Sequence, residues 1–182
     1  TRAGGRRGDV PARPVPAVSL IRVVVGTLAD QSVDAVLRPI RSDLAPVTPA
    51  SRDVGLRAGA AVEDRLASTG HVPVGGAVLT PGGDLTASFV IHAVVMAADE
   101  PQSRQSVERA LRNGLARAAD WELDSLAMPP MGLGAGSMDP EEEARGFVDV
   151  LSEHVRAGGP PLEIVLVVTS DYERELLERL LV

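Results

Sequence analysis

The chain contains no cysteine, which excludes disulfides, zinc–thiolate sites and cysteine nucleophiles. It also contains no lysine: all 18 basic residues are arginine. Asparagine occurs once, as Asn113. Aromatic residues make up 2% of 182 residues, so the core has to be assembled from Val, Leu, Ile and Ala. The three histidines, His71, His92 and His154, are scattered without metal-ligand spacing. No apolar run approaches the roughly 20 residues that a membrane span requires, and no segment reads as a signal peptide. The expectation is a soluble, cytoplasmic protein without membrane partners.

What is present is 45% hydrophobic residues, enough for one buried core and one domain. Charge is unevenly placed. Arg2, Arg6, Arg7 and Arg13 against Asp9 give the first sixteen residues a net +3, leaving −10 for the remainder of a chain with net charge −7. So acidic a body argues against a broad nucleic-acid surface. Residues 1–17, rich in Gly, Pro and Arg and without a hydrophobic period, read as a basic extension or a linker to another domain. The domain proper is expected over 18–182.

Within it, apolar strands alternate with amphipathic helices. Strands are expected at 18–25, 33–37, 75–80, 88–95, 125–128 and 164–169, with Arg38-Pro39-Ile40-Arg41 closing the second. Helices are expected at about 53–68, 103–119, from 140, and 170–181. The almost continuous apolarity of the inner strands fits a sheet covered on both faces. This predicts an α/β fold, a three-layer α/β/α sandwich with a central mixed, mostly parallel sheet.

The stretch with the strongest chemical content is 126–140. A short strand passes through Pro129-Pro130 into a loop with Gly132, Gly134 and Gly136, then into a helix with Asp139 as N-cap, Pro140 at the first position and Glu142 completing a capping box. Strand, glycine loop and helix start is an arrangement that holds phosphate. It serves equally as a plain strand-to-helix turn needing positive φ. It matches neither a P-loop nor a dinucleotide fingerprint.

Three segments in register resemble the macrodomain family of ADP-ribose-binding modules. These are Val33-Asp34-Ala35-Val36, the hairpin Gly75–Leu85 running into Phe89-Val90-Ile91-His92, and Ser125-Leu126-Ala127-Met128-Pro129 with its glycine loop. The Gly-x-Gly at 132 and 134 looks nearer to the histone-associated, non-hydrolytic members. The resemblance covers about 19–182 and implies a cleft at the carboxyl ends of the central strands, where open α/β sheets bind ligands. It implies ADP-ribose, free or on a modified protein, as ligand and no further cofactor. The residues it points to are Gly26, Thr27 and Leu28 for adenosine, Arg41, the phosphate loop Gly132, Leu133, Gly134, Ala135, Gly136 and Ser137, and Tyr172 as an adenine-stacking ring.

Departures from the family pattern shape the functional expectation. Gly26-Thr27-Leu28 stands where the family carries Gly-Asp-Ile, and Arg38-Pro39-Ile40-Arg41 stands where it carries Asn-Ala-Ala-Asn. The second asparagine serves the distal ribose in hydrolytic members, so its replacement by Arg41 points to binding without hydrolysis. Two alternatives stand beside that reading: a hydrolase of ADP-ribosyl esters or O-acetyl-ADP-ribose using atypical residues, with Asp30 or Asp53 as base, and a structural or interaction module. His92 is expected to be a hydrogen-bonded core residue, Asp34 a structural one, and Trp121 a packing residue.

Overall fold

A computed structural model describes residues 20–133 and 139–182. The basic extension 1–17 and loop residues 134–138 lie outside the described residues. Six strands form one sheet: β1 (Leu20–Val25), β2 (Ala35–Arg41), β3 (Ala77–Pro81), β4 (Phe89–Met96), β5 (Ser125–Met128) and β6 (Glu163–Val168). Their order is β1-β6-β5-β2-β4-β3, with every neighbouring pair parallel except the β3–β4 hairpin. Helices α1 (Pro49–Ala58) and α2 (Ala60–Ala67) cover one face; α3 (Arg104–Asp120), α4 (Pro140–Ala157) and α5 (Asp171–Leu180) cover the other. The expected mixed, mostly parallel three-layer sandwich is the fold of this chain.

Period-two alternation assigns the layers. Leu37 of β2 and Ile91, Ala93 and Val95 of β4 join the main core under α3–α5, together with Phe147 and Leu151 of α4. Val36 and Ile40 of β2 and Val90 and Val94 of β4 point the other way, into two smaller clusters under α1 and α2. On β2 and β4, two inward positions of that second face are polar: Arg38 and His92, directly paired across the β2–β4 register.

Several boundaries differ from expectation for identifiable reasons. Arg38-Pro39-Ile40-Arg41 does not close β2 but forms its second half. Pairing of β2 with β5 ends at Val36, so a residue without N–H is accommodated at Pro39, whose carbonyl accepts from the Ser51 hydroxyl at 2.6 Å. The single helix expected over 53–68 is two helices. Thr48 caps α1 by accepting from the Ser51 N–H, Pro49 takes its first turn, and Gly59 at φ 101° separates it from α2. The cap expected from the Asp139 side chain is not made, although its carbonyl accepts from the Glu142 and Glu143 amides. At α5, Ser170 caps by accepting from the Glu173 amide, and the Glu173 carboxylate accepts the Thr169 amide at 2.9 Å.

Asp34 has the structural role expected of it. Its carboxylate accepts the Asp124 and Ser125 amides at 2.8 and 3.1 Å, tying the start of β2 to the start of β5. Trp121 packs against Phe89 with ring centroids 5.6 Å apart at the same amino end of the sheet.

Candidate functional site

Because five of the six strands run one way, their carboxyl ends meet along one edge. There the chain leaves β1 at Gly26, β2 at Arg41, β4 at Met96, β5 at Met128 and β6 at Val168. A cleft of about 330 Å³ opens between three of these exits. Pro39, Val47 and Thr48 form the wall contributed by β2 and the segment leading to α1. Met96, Pro101 and Gln102 contribute from the β4–α3 connection, and Pro129–Leu133 from the connection after β5. The described lining is apolar or neutral, with the Thr48 hydroxyl and the Gln102 amide as its polar side chains.

The residues singled out from sequence are distributed along this edge. Gly132, at φ 99°, and Leu133 line the cleft directly. Gly134, Ala135, Gly136 and Ser137 lie outside the described residues. Gly26 follows β1 and donates its N–H to the Val168 carbonyl at 3.0 Å, which places the β1 and β6 exits side by side. Thr27 precedes a short 3₁₀ turn (Leu28–Asp30), and the Gln31 amide donates to its carbonyl at 2.9 Å. Leu28 is buried in the core under α1, and its carbonyl accepts the Gln31 backbone N–H. Tyr172, in the first turn of α5, is 66% exposed.

Arg41 is absent from the described lining of the cleft. Its Nε lies 3.3 Å from Asp43 Oδ1 in an ion pair whose geometry is not that of a hydrogen bond. The two carboxylates named as bases are both engaged by one cation: Arg57 pairs with Asp30 and, at 3.6 Å, with Asp53. Asp53 borders a separate shallow groove beside α1. Among the described residues, no cluster of His, Asp or Glu is arranged to hold a metal ion, and no helix is long and apolar enough to cross a membrane.

Sequence reasoning missed Met96 and Gln102 as lining residues. The rule that ligands sit at the carboxyl ends of parallel strands extends to β4, and would have directed attention to the segment after it.

Behind the cleft wall lies a buried polar relay. Arg38 is 1% exposed, and its Nε–H donates to His92 Nδ1 at 2.9 Å. Its Nη1 donates to the Ser51 carbonyl at 2.9 Å and its Nη2 to the Glu63 carboxylate at 2.7 Å. Since Nδ1 accepts, the proton of neutral His92 resides on Nε2 and is donated to Thr80 Oγ1 at 2.9 Å. Desolvation, reinforced by the adjacent Arg38 cation, depresses the His92 pKa to about 3, so the ring is neutral at physiological pH. Desolvation likewise lowers the pKa of Arg38, with Glu63 acting in the opposite sense. The guanidinium remains charged at neutral pH. Room for the pair is made by Gly55: a Cβ there would stand 2.4 Å from Arg38 Nη1 and 2.6 Å from the Glu63 carboxylate.

A mixed sheet between two helical layers, with a cleft at its carboxyl edge, defines the molecule as a three-layer α/β sandwich of the open-sheet type. The macro domain family model matches residues 51–147. An uncharacterized protein of Aeropyrum pernix is 32% identical over 155 residues, covering 84% of this chain and 80% of that protein. The chain therefore belongs to the macro domain family. It is 28% identical over 169 residues to the Salmonella typhimurium protein named O-acetyl-ADP-ribose deacetylase, covering 90% and 94% of the two. Its fold superimposes on an Oceanobacillus iheyensis macrodomain solved with ADP, with a TM-score of 0.76 at 16% identity over 92% of each chain.

Proposed function

We propose that this protein binds ADP-ribose, free or attached to a modified protein, in the cleft at the carboxyl edge, and that it binds without hydrolysing it. The observation that carries the reading is the composition of that cleft within a macro domain. Gly132 holds a positive φ at its rim, and the loop that continues from it carries two further glycines. Backbone N–H groups in such a loop suit a diphosphate. The lining favours retention over turnover. None of Pro39, Thr48, Met96, Gln102, Met131 or Leu133 titrates near neutral pH, and the loop 134–138 consists of Gly, Ala, Ser and Met. A general base positioned on substrate is what hydrolysis would need.

The similarity to a protein named O-acetyl-ADP-ribose deacetylase supports a second reading, hydrolysis of the ester bond in O-acetyl-ADP-ribose. The two are separated by incubating the protein with O-acetyl-ADP-ribose and following acetate release. Binding without acetate release above the uncatalysed rate is the expected result.

Arg41 supplies a graded test of the anion contact. Its guanidinium sits at the end of β2 beside the loop that leads to the cleft wall, and Asp43 occupies only one side of it. Arg41→Ala is expected to weaken ADP-ribose binding about fivefold, the equivalent of roughly 1 kcal/mol for one charge-assisted hydrogen bond at a partly exposed site. An unchanged Kd by calorimetry removes Arg41 from the site.

A further inference from the structure

The residue after the Arg38–His92 pair in β2 lines the cleft, and the residue that Arg38 grips in α1 is hydrogen-bonded to two residues of that wall. Ser51 is completely buried and makes three hydrogen bonds that point in different directions. Its carbonyl accepts from Arg38 Nη1 at 2.9 Å, its hydroxyl donates to the Pro39 carbonyl at 2.6 Å, and its amide donates to Thr48 Oγ1 at 3.1 Å. Pro39 and Thr48 both line the cleft. The first turn of α1 is thus fastened to two consecutive residues of β2, one bond running to a buried cation and one to the backbone beside the ligand. The cation in turn is oriented by acceptors on two other elements, His92 on β4 and Glu63 on α2.

We propose that Arg38 is a positioning residue for ligand binding: its guanidinium, aimed by His92 and Glu63, fixes the first turn of α1 through the Ser51 carbonyl and so sets the Pro39–Thr48 wall of the cleft. The inference rests on the binding reading above for the identity of the ligand, but its mechanical part does not. Three observations carry it. A buried cation on the inner face of β2 has all three guanidinium nitrogens committed to protein acceptors. Gly55 is the residue at its crossing point in α1, where any side chain would collide with Arg38 and Glu63, so the helix gives up side-chain packing there to let the pair through. Neither the hydroxyl of Ser51 nor its amide is turned inward to the core alone; both hold residues that face the cleft.

The geometry also states what Lys at position 38 cannot do. One ammonium has no planar fork and cannot span His92 Nδ1, the Ser51 carbonyl and Glu63 together. Arg38→Lys therefore retains the charge and most of the volume while releasing at least one of the three acceptors.

The test uses two readouts on the full chain, wild type against Arg38→Lys, with Ser51→Ala as a second variant that keeps Arg38 and removes the tie to Pro39. The first readout is amide hydrogen exchange. The account predicts at least tenfold faster exchange at Ser51 and Arg52, with the β3–β4 ladder around Leu79 and Ile91 unchanged. The second is ADP-ribose affinity by calorimetry, under conditions where both variants are folded; about tenfold weaker binding is expected. A role confined to stability would leave the affinity of the folded protein within twofold and would speed exchange uniformly, and either result overturns the proposal. Absence of ADP-ribose binding by the wild-type protein contradicts the binding reading instead, and the exchange pattern then decides the positioning of α1 by itself. Should Arg38→Lys not fold, Glu63→Ala, which keeps Arg38 and removes one of the two acceptors that aim it, decides both readouts.

Discussion

Replacing Arg38 by Met is expected to lower the unfolding free energy by about 1–3 kcal/mol, the cost of leaving a buried acceptor without its donor. The loss does not come from the ion pair alone. Glu63 is 44% exposed on its side chain and turns to water when Arg38 is removed. The cost arises chiefly at His92 Nδ1, left as a buried acceptor without its donor at roughly 1–3 kcal/mol, whereas the Ser51 carbonyl lies inside α1 and loses only its second donor. Methionine fills part of the volume, so cavity formation adds little. Urea denaturation of wild type and variant measures the difference. A loss below about 1 kcal/mol would mean that the acceptors find other donors and that the relay is not what holds α1 against β2.

The second large effect is on pH. His92 has a folded pKa of about 3 against 6.5 for the free side chain, and burial is the main cause. The depressed value sets the sign. Between these two pH values the unfolded chain binds a proton at this residue that the folded chain does not, so stability rises with pH through that window. The contribution is complete above about pH 7 and is lost progressively as the pH falls through 6.5 toward 3. The full loss is on the order of 5 kcal/mol. The chemistry is visible in the relay: protonating Nδ1 would oppose it to the Arg38 N–H that it now accepts. His92→Gln, which carries an amide in place of the ring, should flatten the curve between pH 6.5 and 4 relative to wild type. Parallel curves for the two proteins would contradict a neutral buried ring.

The layer architecture was legible because it rests on period-two alternation and helical spacing, which both faces of this sheet keep. Segments 125–128 and 140 onward stand where sequence placed them, and the strand preceding the hairpin turn begins two residues later, at Ala77. Arg38-Pro39-Ile40-Arg41 was not legible as strand, since Arg and Pro are punctuation by local preference, and what overrides them is tertiary. The acceptors for Arg38 come from α1, α2 and β4, and Pro39 is tolerated because β5 has already ended its pairing with β2. One signal was available: Val36, Arg38 and Ile40 on one strand, and Val90, His92 and Val94 on another, each place a polar residue between two apolar ones on the same face.

The candidate site was legible in outline, since an open α/β sheet and a glycine loop together point to the carboxyl edge. Its lining was less so. Met96 and Gln102 sit on a connection without a motif. Leu28 shows the converse. Motif position marked it for the ligand, while its apolar side chain belongs to the core.

The measurement that tests the central claim most directly is calorimetric titration of the protein with ADP-ribose, with ADP and AMP as comparators. The account predicts saturable binding in the micromolar range, about −8 kcal/mol, weakened stepwise as the distal ribose and then the second phosphate are removed. No heat and no thermal shift at millimolar ADP-ribose would contradict it, and would leave the macro domain of this chain with a fold but without the ligand its cleft is proposed to hold.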